Sequence, residues 1–207
     1  MQVILMEKVA NLGGLGDVVK VDLNVNFYSP YRWAHKPEQL AEVREADTDW
    51  KAFLLGKPYR PFDPKIYRSF RLFREFSSAI IDQWMTHKID TIHFLTGAKF
   101  PTSVVASGGT LAWKDGRENG DTIHVILEYP EGFQAVYSAT LANGFGNAGY
   151  VLGEQGTVEV ENKWQISGAE VTGSKVATKT LERKAGYEGN MDQIHMRDWL
   201  MCVHNNK

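Results

Sequence analysis

The stretch FSSAIIDQWMTHKIDTIHF, residues 76–94, is predicted to form the helix against which the rest of the fold packs. Ser77 and Ser78 can accept hydrogen bonds from first-turn amides, and Gly97 can end the helix. Apolar side chains recur every three or four residues, which is the spacing of one buried helix face. The members of this stripe are Ile81, Trp84, Met85, Ile89, Ile92 and Leu95.

A polar row occupies another face of the same predicted helix. Gln83, His87 and Asp90 stand at positions i, i+4 and i+7. Residues at these spacings are neighbours on a helix surface, so the row could face a site while the apolar stripe faces a core. Asp82 lies in the early turns, where a negative charge interacts favourably with the helix dipole.

Composition and charge narrow the class of protein. The chain has 207 residues, 43% of them apolar, which suits one domain of ordinary size or one domain with an appendage. A net charge of −2 provides no general attraction to nucleic acid or to anionic membranes. Cys202 is the single cysteine, so no internal disulfide can form. The N-terminal apolar run is too short for a signal peptide or a membrane span, and a cytoplasmic location is expected.

The chain after residue 101 has the pattern of β-strands. Five β-rich runs are separated by turn residues such as Asp115-Gly116 and Pro130-Glu131-Gly132. The predicted fold class is α+β, a large and mostly antiparallel open β-sheet with helices packed on one face. The runs are SVVASGGTLAW, DTIHVILEYP, FQAVYSATLAN, AGYVLGEQGTVEVEN and KWQISGAEV.

A short N-terminal β-hairpin is predicted over residues 1–22. Two β-branched runs, 3–5 and 18–21, flank a glycine-rich turn. The glycines are spaced G-G-x-G and are followed by the β-like run DVVKV. A dinucleotide loop needs G-x-G-x-x-G followed by a helix, so the hairpin is favoured over a nucleotide site. Because a lone hairpin is marginal in water, this one should dock on another element.

The same segment, MQVILMEKVANLGGLGDVVKV, resembles the start of the ninth large-subunit ribosomal protein of bacteria. The resemblance implies a small RNA-binding domain that could use Lys8 and Lys20. The residues that follow, LNVNFYSPYRWAHKPEQL, lack the basic helix that this family places next. Nucleic acid is therefore not the expected partner, and rRNA binding is kept as an alternative function.

Residues 23–46 are predicted to be a connector with one helix in PEQLAEVREA. Residues 65–76 then interleave basic and aromatic side chains. The alternatives are stacking on single-stranded nucleic acid and inward packing of the aromatics beneath arginine stems. The second is favoured, because Asp63 and Glu75 offset the charge. A final helix is predicted in NMDQIHMRDWLMCVHNN, with Ile194, Trp199 and Val203 near one side.

Residues 47–207 resemble the C-terminal domain of the glucose–fructose oxidoreductase, inositol dehydrogenase and rhizopine-catabolism family (Gfo/Idh/MocA). The pieces that carry the resemblance stand in order along the chain. They are DTDWKAFLLGKPYRPFDP, His87-Lys88-Ile89-Asp90, GGTLAWKDGREN, DTIHVILEYPEGF, VLGEQGTVEV and IHMRDWLMCV. The resemblance implies a substrate-binding domain whose open sheet mediates homo-oligomers and whose helix lines a pocket for a sugar-like molecule.

The resemblance also implies a reaction, hydride transfer between a sugar-like alcohol and NAD(P), with His87 as general acid/base. Imidazole suits this role because it exchanges protons near neutral pH. Gln83 stands where the family often has an aspartate. Asp82 should lie about 140° round the helix from His87, so Gln83 shares the His87 face unless the first turn is irregular. Substrate contacts are expected from Gln83, Asp82, Asp90 and Trp84. The alternative is that His87 is a buried structural histidine.

Three further features of the family have no counterpart in this sequence. There is no βαβ dinucleotide-binding region, no glutamate-lysine-proline motif and no segment after the IHMRDWL helix. The expectation is a truncated domain that binds neither NAD(P) nor a metal by itself and is inactive alone. A nucleotide domain supplied by another chain and a non-catalytic oligomerisation protein are the other hypotheses. Arg117 and Glu118 are expected to brace the GGTLAWKDGREN hairpin.

Overall fold

The fold is built on one sheet of eight strands in the order β2-β3-β4-β1-β5-β6-β7-β8. The computed structural model describes residues 14–28, 37–180 and 191–205. The strands are β1 (Val18–Asn26), β2 (Ser103–Gly109), β3 (Thr122–Glu128), β4 (Gln134–Thr140), β5 (Ala148–Gly153), β6 (Thr157–Glu159), β7 (Gln165–Ser167) and β8 (Lys179–Thr180). The predicted large, mostly antiparallel open sheet is confirmed.

The strand β1 lies in the middle of this sheet. It pairs parallel with β4, where Val21 is opposite Ala135, and antiparallel with β5, where Val21 is opposite Val151. Residues 18–21, expected to form the second strand of an N-terminal hairpin, thus belong to a strand inside the main sheet. The strand also continues across the boundary predicted at residue 22. Its pairs with β4 extend to Asn26, and its side chains alternate between buried and less buried from Val21 onward. The first strand expected in that hairpin, residues 3–5, lies outside the described residues.

One face of the sheet forms the core. Along β1 the side chains of Val21, Leu23 and Val25 are buried, whereas the intervening residues point to the other face. Partners on neighbouring strands continue this buried layer. It includes Val125, Leu127, Ala135, Tyr137, Ala139, Val151 and Val158. Burial raises the pKa of the Tyr137 hydroxyl, which donates to the Ile80 carbonyl.

The central helix covers that face but begins differently from the prediction. A π-helical turn, Ile81–Met85, leads into α4 (Thr86–Thr96). Ala79 has a φ of 51°, so a regular helix cannot run through from residue 76. The predicted stop is confirmed, since Gly97 has a φ of 75° and its N–H bonds the His93 carbonyl.

The apolar stripe of this helix packs as predicted. Ile92 and Leu95 are buried in the core. Ile81, Trp84, Met85 and Ile89 are partly buried against it.

A second, smaller cluster lies between residues 50 and 76. It contains α2 (Trp50–Phe53) and α3 (Pro64–Arg68) and follows α1 (Pro37–Ala41). Its aromatic rings pack inward around Trp50, and the guanidinium of Arg60 lies over the Phe76 ring. This arrangement agrees with the packing interpretation of the basic and aromatic stretch.

The last helix, α5 (Met191–His204), matches the predicted C-terminal helix in extent. Ile194, Trp199 and Val203 were expected on or near one side of it. The side chains of Trp199 and Val203 are more than half exposed, and that of Ile194 lies outside those described. Cys202 is also exposed. No helix among the described residues is long and apolar enough to cross a bilayer.

Replacing Ile92 by alanine tests how the helix is held on the sheet. Because Ile92 is almost fully buried, the change should lower the free energy of unfolding by about 2–5 kcal/mol. Chemical denaturation of the wild type and the variant measures this difference. Met201→Ala, at an exposed position of α5, is the control and should change it by no more than about 0.5 kcal/mol. An equal effect of both changes would contradict the described packing.

Candidate functional site

His87 lies in the first turn of α4, and its side chain is exposed. Its ring meets that of Trp84 edge to face, with 6.2 Å between ring centroids. Trp84 in turn packs on Phe27, at 5.0 Å, immediately after the end of β1. The alternative of a buried structural histidine is therefore wrong, and the imidazole is available to a molecule bound on this side of the helix.

The π-turn changes how Asp82 and Gln83 relate to His87. Hydrogen bonds from i to i+5 widen the turn, so residues five apart come closer to one face than in an α-helix. The first turn is thus irregular, and the sequence argument that Gln83 rather than Asp82 shares the His87 face does not apply. Both side chains are instead engaged at the start of the helix.

These two side chains form one polar network. Arg71 donates from Nε to Oε1 of Gln83 at 2.6 Å, and Nε2 of Gln83 donates to Oγ of Ser77 at 3.0 Å. The Asp82 carboxylate accepts from the Ser78 N–H at 2.9 Å and from the Ser77 hydroxyl at 3.2 Å. The network fixes the beginning of the helix and occupies the polar atoms that were expected to meet substrate.

Asp90 is exposed one turn beyond His87. No hydrogen bond joins its carboxylate to the His87 ring, although the Thr91 hydroxyl donates to the His87 carbonyl at 3.0 Å. Of the predicted site residues, Trp84 and His87 therefore contact each other, Asp90 remains accessible to solvent, and Asp82 and Gln83 face the helix start.

An ion pair fixes the helix next to His87. Lys88 pairs with Glu161, which lies two residues after the end of β6, and both side chains are largely buried. Burial lowers the pKa of the Lys88 ammonium. Trp164, in the same turn, is held at a φ of 49°, a conformation that non-glycine residues rarely adopt. Because Lys88 directly follows His87 in the chain, its pair with Glu161 holds His87 at the sheet end where β1 and β6 finish.

A buried carboxylate organises the loop 110–121, which joins β2 to β3. Asp121 is fully buried and accepts backbone N–H bonds from Leu111, Ala112 and Trp113 at 2.8–3.1 Å. Burial alone would raise the pKa of this carboxyl, but those amides and the Thr122 hydroxyl outweigh it, and the pKa is lowered. The loop is therefore held by a charged side chain rather than by an apolar core.

The same loop connects the helix start to the sheet. Asn119 donates from Nδ2 to the carbonyls of Arg71 and Ser77, at 2.9 and 2.8 Å. As expected, Arg117 and Glu118 have bracing roles. Arg117 pairs with Asp115 and lies over the Trp113 ring, and the Glu118 carboxylate accepts from the Arg74 N–H.

Sequence reasoning missed the roles of Asp121 and Asn119. The signal available for them was a short run of polar residues with two glycines immediately before an apolar strand.

A groove of about 470 Å³ lies between the helix start and β2. Ile80, Ile81, Gly108 and Thr110 are among its lining residues, and His87 is not. The histidine therefore faces an open surface and not this groove.

The described residues do not fit a nicotinamide nucleotide. Gly14 and Gly16 lead into β1, so the loop has no helix N-terminus with which to bind a pyrophosphate. In the same described part of the chain, no group of three or more histidine, cysteine or acidic side chains could hold a metal ion.

The sequence profile of the GFO/IDH/MocA C-terminal domain matches residues 56–159, which is half of the chain. The chain therefore belongs to the GFO/IDH/MocA family. A second profile, for the N-terminal domain of ribosomal protein L9, matches residues 1–24. Large ribosomal subunit protein bL9 from Burkholderia cenocepacia and from Burkholderia vietnamiensis is 49% identical over 55 residues. That match covers 24% of this chain and 37% of those relatives.

Solved oxidoreductase structures share the fold. Aldose–aldose oxidoreductase from Caulobacter crescentus, complexed with glycerol, is 17% identical with a TM-score of 0.64. The WlbA dehydrogenase from Bordetella pertussis, complexed with NADH and UDP-GlcNAcA, is 17% identical with a TM-score of 0.58. Each match covers 100% of this chain and 51% of the relative, so the chain spans about half the length of these structures.

Replacing Asp121 by asparagine tests the buried carboxylate. An amide provides one acceptor oxygen fewer, so about 2–3 kcal/mol of the free energy of unfolding should be lost at pH 7. Because folding lowers the pKa of Asp121, its contribution is present above about pH 4 and is lost as the pH falls toward the folded-state pKa. The variant should show a smaller decrease in stability between about pH 4 and pH 2 in urea denaturation. Glu170→Gln, at an exposed position, should leave the wild-type pH profile unchanged, and an unchanged profile in Asp121→Asn would contradict the assignment.

Removing the Glu161 charge should leave Lys88 buried without its partner. Glu161→Gln is therefore expected to lower the free energy of unfolding by about 3 kcal/mol, and the double variant Lys88→Met/Glu161→Gln by less. A double-mutant cycle from denaturation curves measures the coupling. Asp47→Asn, which breaks the exposed pair with Arg44, is the control and should cost no more than about 1 kcal/mol. Equal losses of unfolding free energy in Glu161→Gln and Asp47→Asn would show that burial does not strengthen the pair of Lys88 with Glu161.

Proposed function

We propose that this chain is the substrate-binding and oligomerisation part of an NAD(P)-dependent oxidoreductase that acts on sugar-like alcohols, with His87 as its general acid/base. The observation that carries the proposal is the exposed His87 imidazole, which lies on a helix packed against the sheet of a domain that belongs to this family. Membership of the family supports the class of reaction. Two structural relatives were solved in complex with glycerol and with UDP-GlcNAcA, which supports a polyhydroxylated substrate.

The chemistry assigned to His87 is proton transfer at a substrate hydroxyl. A neutral imidazole can accept the hydroxyl proton as the carbon loses hydride, and the imidazolium can return it in the reverse direction. Bound nicotinamide supplies the hydride acceptor in this class of enzyme. Since the described residues do not fit that cofactor, its binding is assigned to no residue among them.

The surroundings of His87 suit a sugar-like ligand. The half-buried ring of Trp84 lies beside the imidazole and offers an apolar surface to the C–H face of a sugar ring. Asp90 is accessible and can accept hydrogen bonds from hydroxyl groups. We assign Gln83 and Asp82 an indirect role, since their hydrogen bonds hold the helix that presents His87.

Oligomerisation through the open face of the sheet is part of the proposal. This face, opposite the central helix, carries exposed Ile126 and Tyr150 among polar residues such as His124 and Ser138. Aromatic and aliphatic side chains surrounded by polar ones are the usual composition of a protein–protein interface. A second copy is the proposed partner on this face.

The alternative of rRNA binding receives less support. Lys20 lies within β1, between two paired strands, and its ammonium contacts the Asp22 carboxylate at 2.8 Å. A lysine with a carboxylate partner contributes less to phosphate binding, which depends on uncompensated positive charge. Lys8 lies outside the described residues.

Binding of simple polyols tests the proposed site. D-glucose or myo-inositol, titrated into the chain, should shift the NMR signals of the His87 ring and the Trp84 indole together. Trp84→Ala should weaken binding by about tenfold, which corresponds to ~1.4 kcal/mol, because the stacking surface is lost. Lys163→Asn, at an exposed position on another turn, is the matched control and should bind as the wild type does. Signal changes confined to other residues, or none with either polyol, would contradict the proposal.

A further inference from the structure

The strand β2 forms one edge of the sheet within the described part of the chain. Its seven residues, SVVASGG, contain no charged side chain and no proline. Natural edge strands are usually shielded by lysine, proline, a bulge or a covering element, because an open edge pairs with other strands. None of the first three is present between Ser103 and Gly109.

Both faces of β2 are open as well. Val104 lies beside Leu127 on the helix side of the sheet and is 55% exposed. Val105 lies beside Ile126 on the other side and is 65% exposed. An added strand would therefore cover apolar surface on both faces and would also satisfy backbone groups.

A groove and a protruding ring flank this strand. The groove of about 470 Å³ runs beside Ala106, Gly108 and Thr110, with Ile80 and Ile81 among its apolar lining residues. At the opposite end, just before the strand, the Phe100 side chain is 79% exposed. The ring and the groove thus lie at opposite ends of one strand.

We propose that β2 pairs with β2 of a second copy of this chain, antiparallel, about a two-fold axis at Val105. In this register Val105 opposes itself, and Val104 opposes Ala106 of the second copy. Ser103 then opposes Ser107 of the second copy, so no like charges meet across the axis. The two eight-stranded sheets become one continuous sheet.

The same register brings the ring to the groove. When this register is continued beyond the two ends of β2, Phe100 of one copy reaches the level of Thr110 in the other, beside the groove that Thr110 and Ile81 line. Because the symmetry is two-fold, each copy contributes one ring and receives one. A surface that matches itself in this way favours a second copy over an unrelated peptide, which would have to supply the ring separately. The pairing does not depend on the proposed function, and it uses a different surface from the open sheet face.

Cysteine cross-linking tests the axis. In a Cys202→Ser background, Val105→Cys places two thiols opposite each other, with Cα atoms about 4.5–5.5 Å apart, which a disulfide can span. Mild oxidation should give a covalent dimer with Val105→Cys and much less with Val104→Cys, which does not face its own copy. Tyr150→Cys is the control. Tyr150 lies on the open sheet face, so this variant should cross-link only if the open faces of two copies pack together. Cross-linking at Tyr150 without cross-linking at Val105 would overturn the β2 pairing while leaving the proposed function intact.

Charge substitutions at the axis give an independent measurement. In analytical ultracentrifugation, Val105→Lys and Val105→Glu should each form a smaller assembly than the wild type, because like charges then oppose each other across the axis. An equimolar mixture of the two should restore the assembly size of the wild type. A wild-type chain that is monomeric at about 100 μM, or a Val105→Lys variant that sediments as the wild type does, would overturn the proposal. Slow amide hydrogen exchange of β2 in a monomeric sample would also overturn it, since another segment would then cover the edge.

Discussion

The hydrogen bonds along both sides of β1 hold the two parts of the sheet together. On one side β1 pairs with β4, the last strand of the antiparallel group β2-β3-β4, and on the other it pairs with β5, the first of the group β5 to β8. Without β1 these groups have no strand in common, and the buried layer around Leu23 is interrupted. The N-terminal segment that resembles a ribosomal protein therefore contributes the central strand of an oxidoreductase fold.

The position of His87 follows from this sheet through a small number of contacts. Asn119 and the Gln83 network hold the start of the helix, the apolar stripe holds its middle, and the pair of Lys88 with Glu161 fixes it to the end of β6. The polar side chains near the helix start take part in these hydrogen bonds. The imidazole of His87 remains exposed, beside an aromatic ring and at the sheet end where β1 finishes. That combination is what makes this surface, and not the groove beside β2, the candidate for proton transfer.

Local patterns predicted those parts of the structure that depend on local interactions. The spacing of Ile92 and Leu95 indicated the buried helix face, and turn residues such as Gly132 separated strands that do pair as neighbours. The position of β1 could not be predicted in this way, because its parallel partner β4 is more than a hundred residues away in the sequence. The π-turn and the positive φ of Ala79 just before it have no sequence signal. Asp121 resembles any surface carboxylate until the amides around it are known, so its burial could not be read from the sequence either.

The central place of β1 has a consequence for biosynthesis. The chain emerges from the ribosome N-terminus first, so residues 18–26 are synthesised well before both of their partners. Until β4 and β5 have been made, Val21, Leu23 and Val25 have no layer in which to be buried. Contacts this distant in the chain are slow to form, because loop-closure entropy opposes them before any burial is gained. The β2-β3-β4 meander can assemble from near neighbours, whereas β1, the first strand to be made, stays unpaired until β4 and β5 have been synthesised. During that interval the nascent chain is most exposed to chaperones and to aggregation.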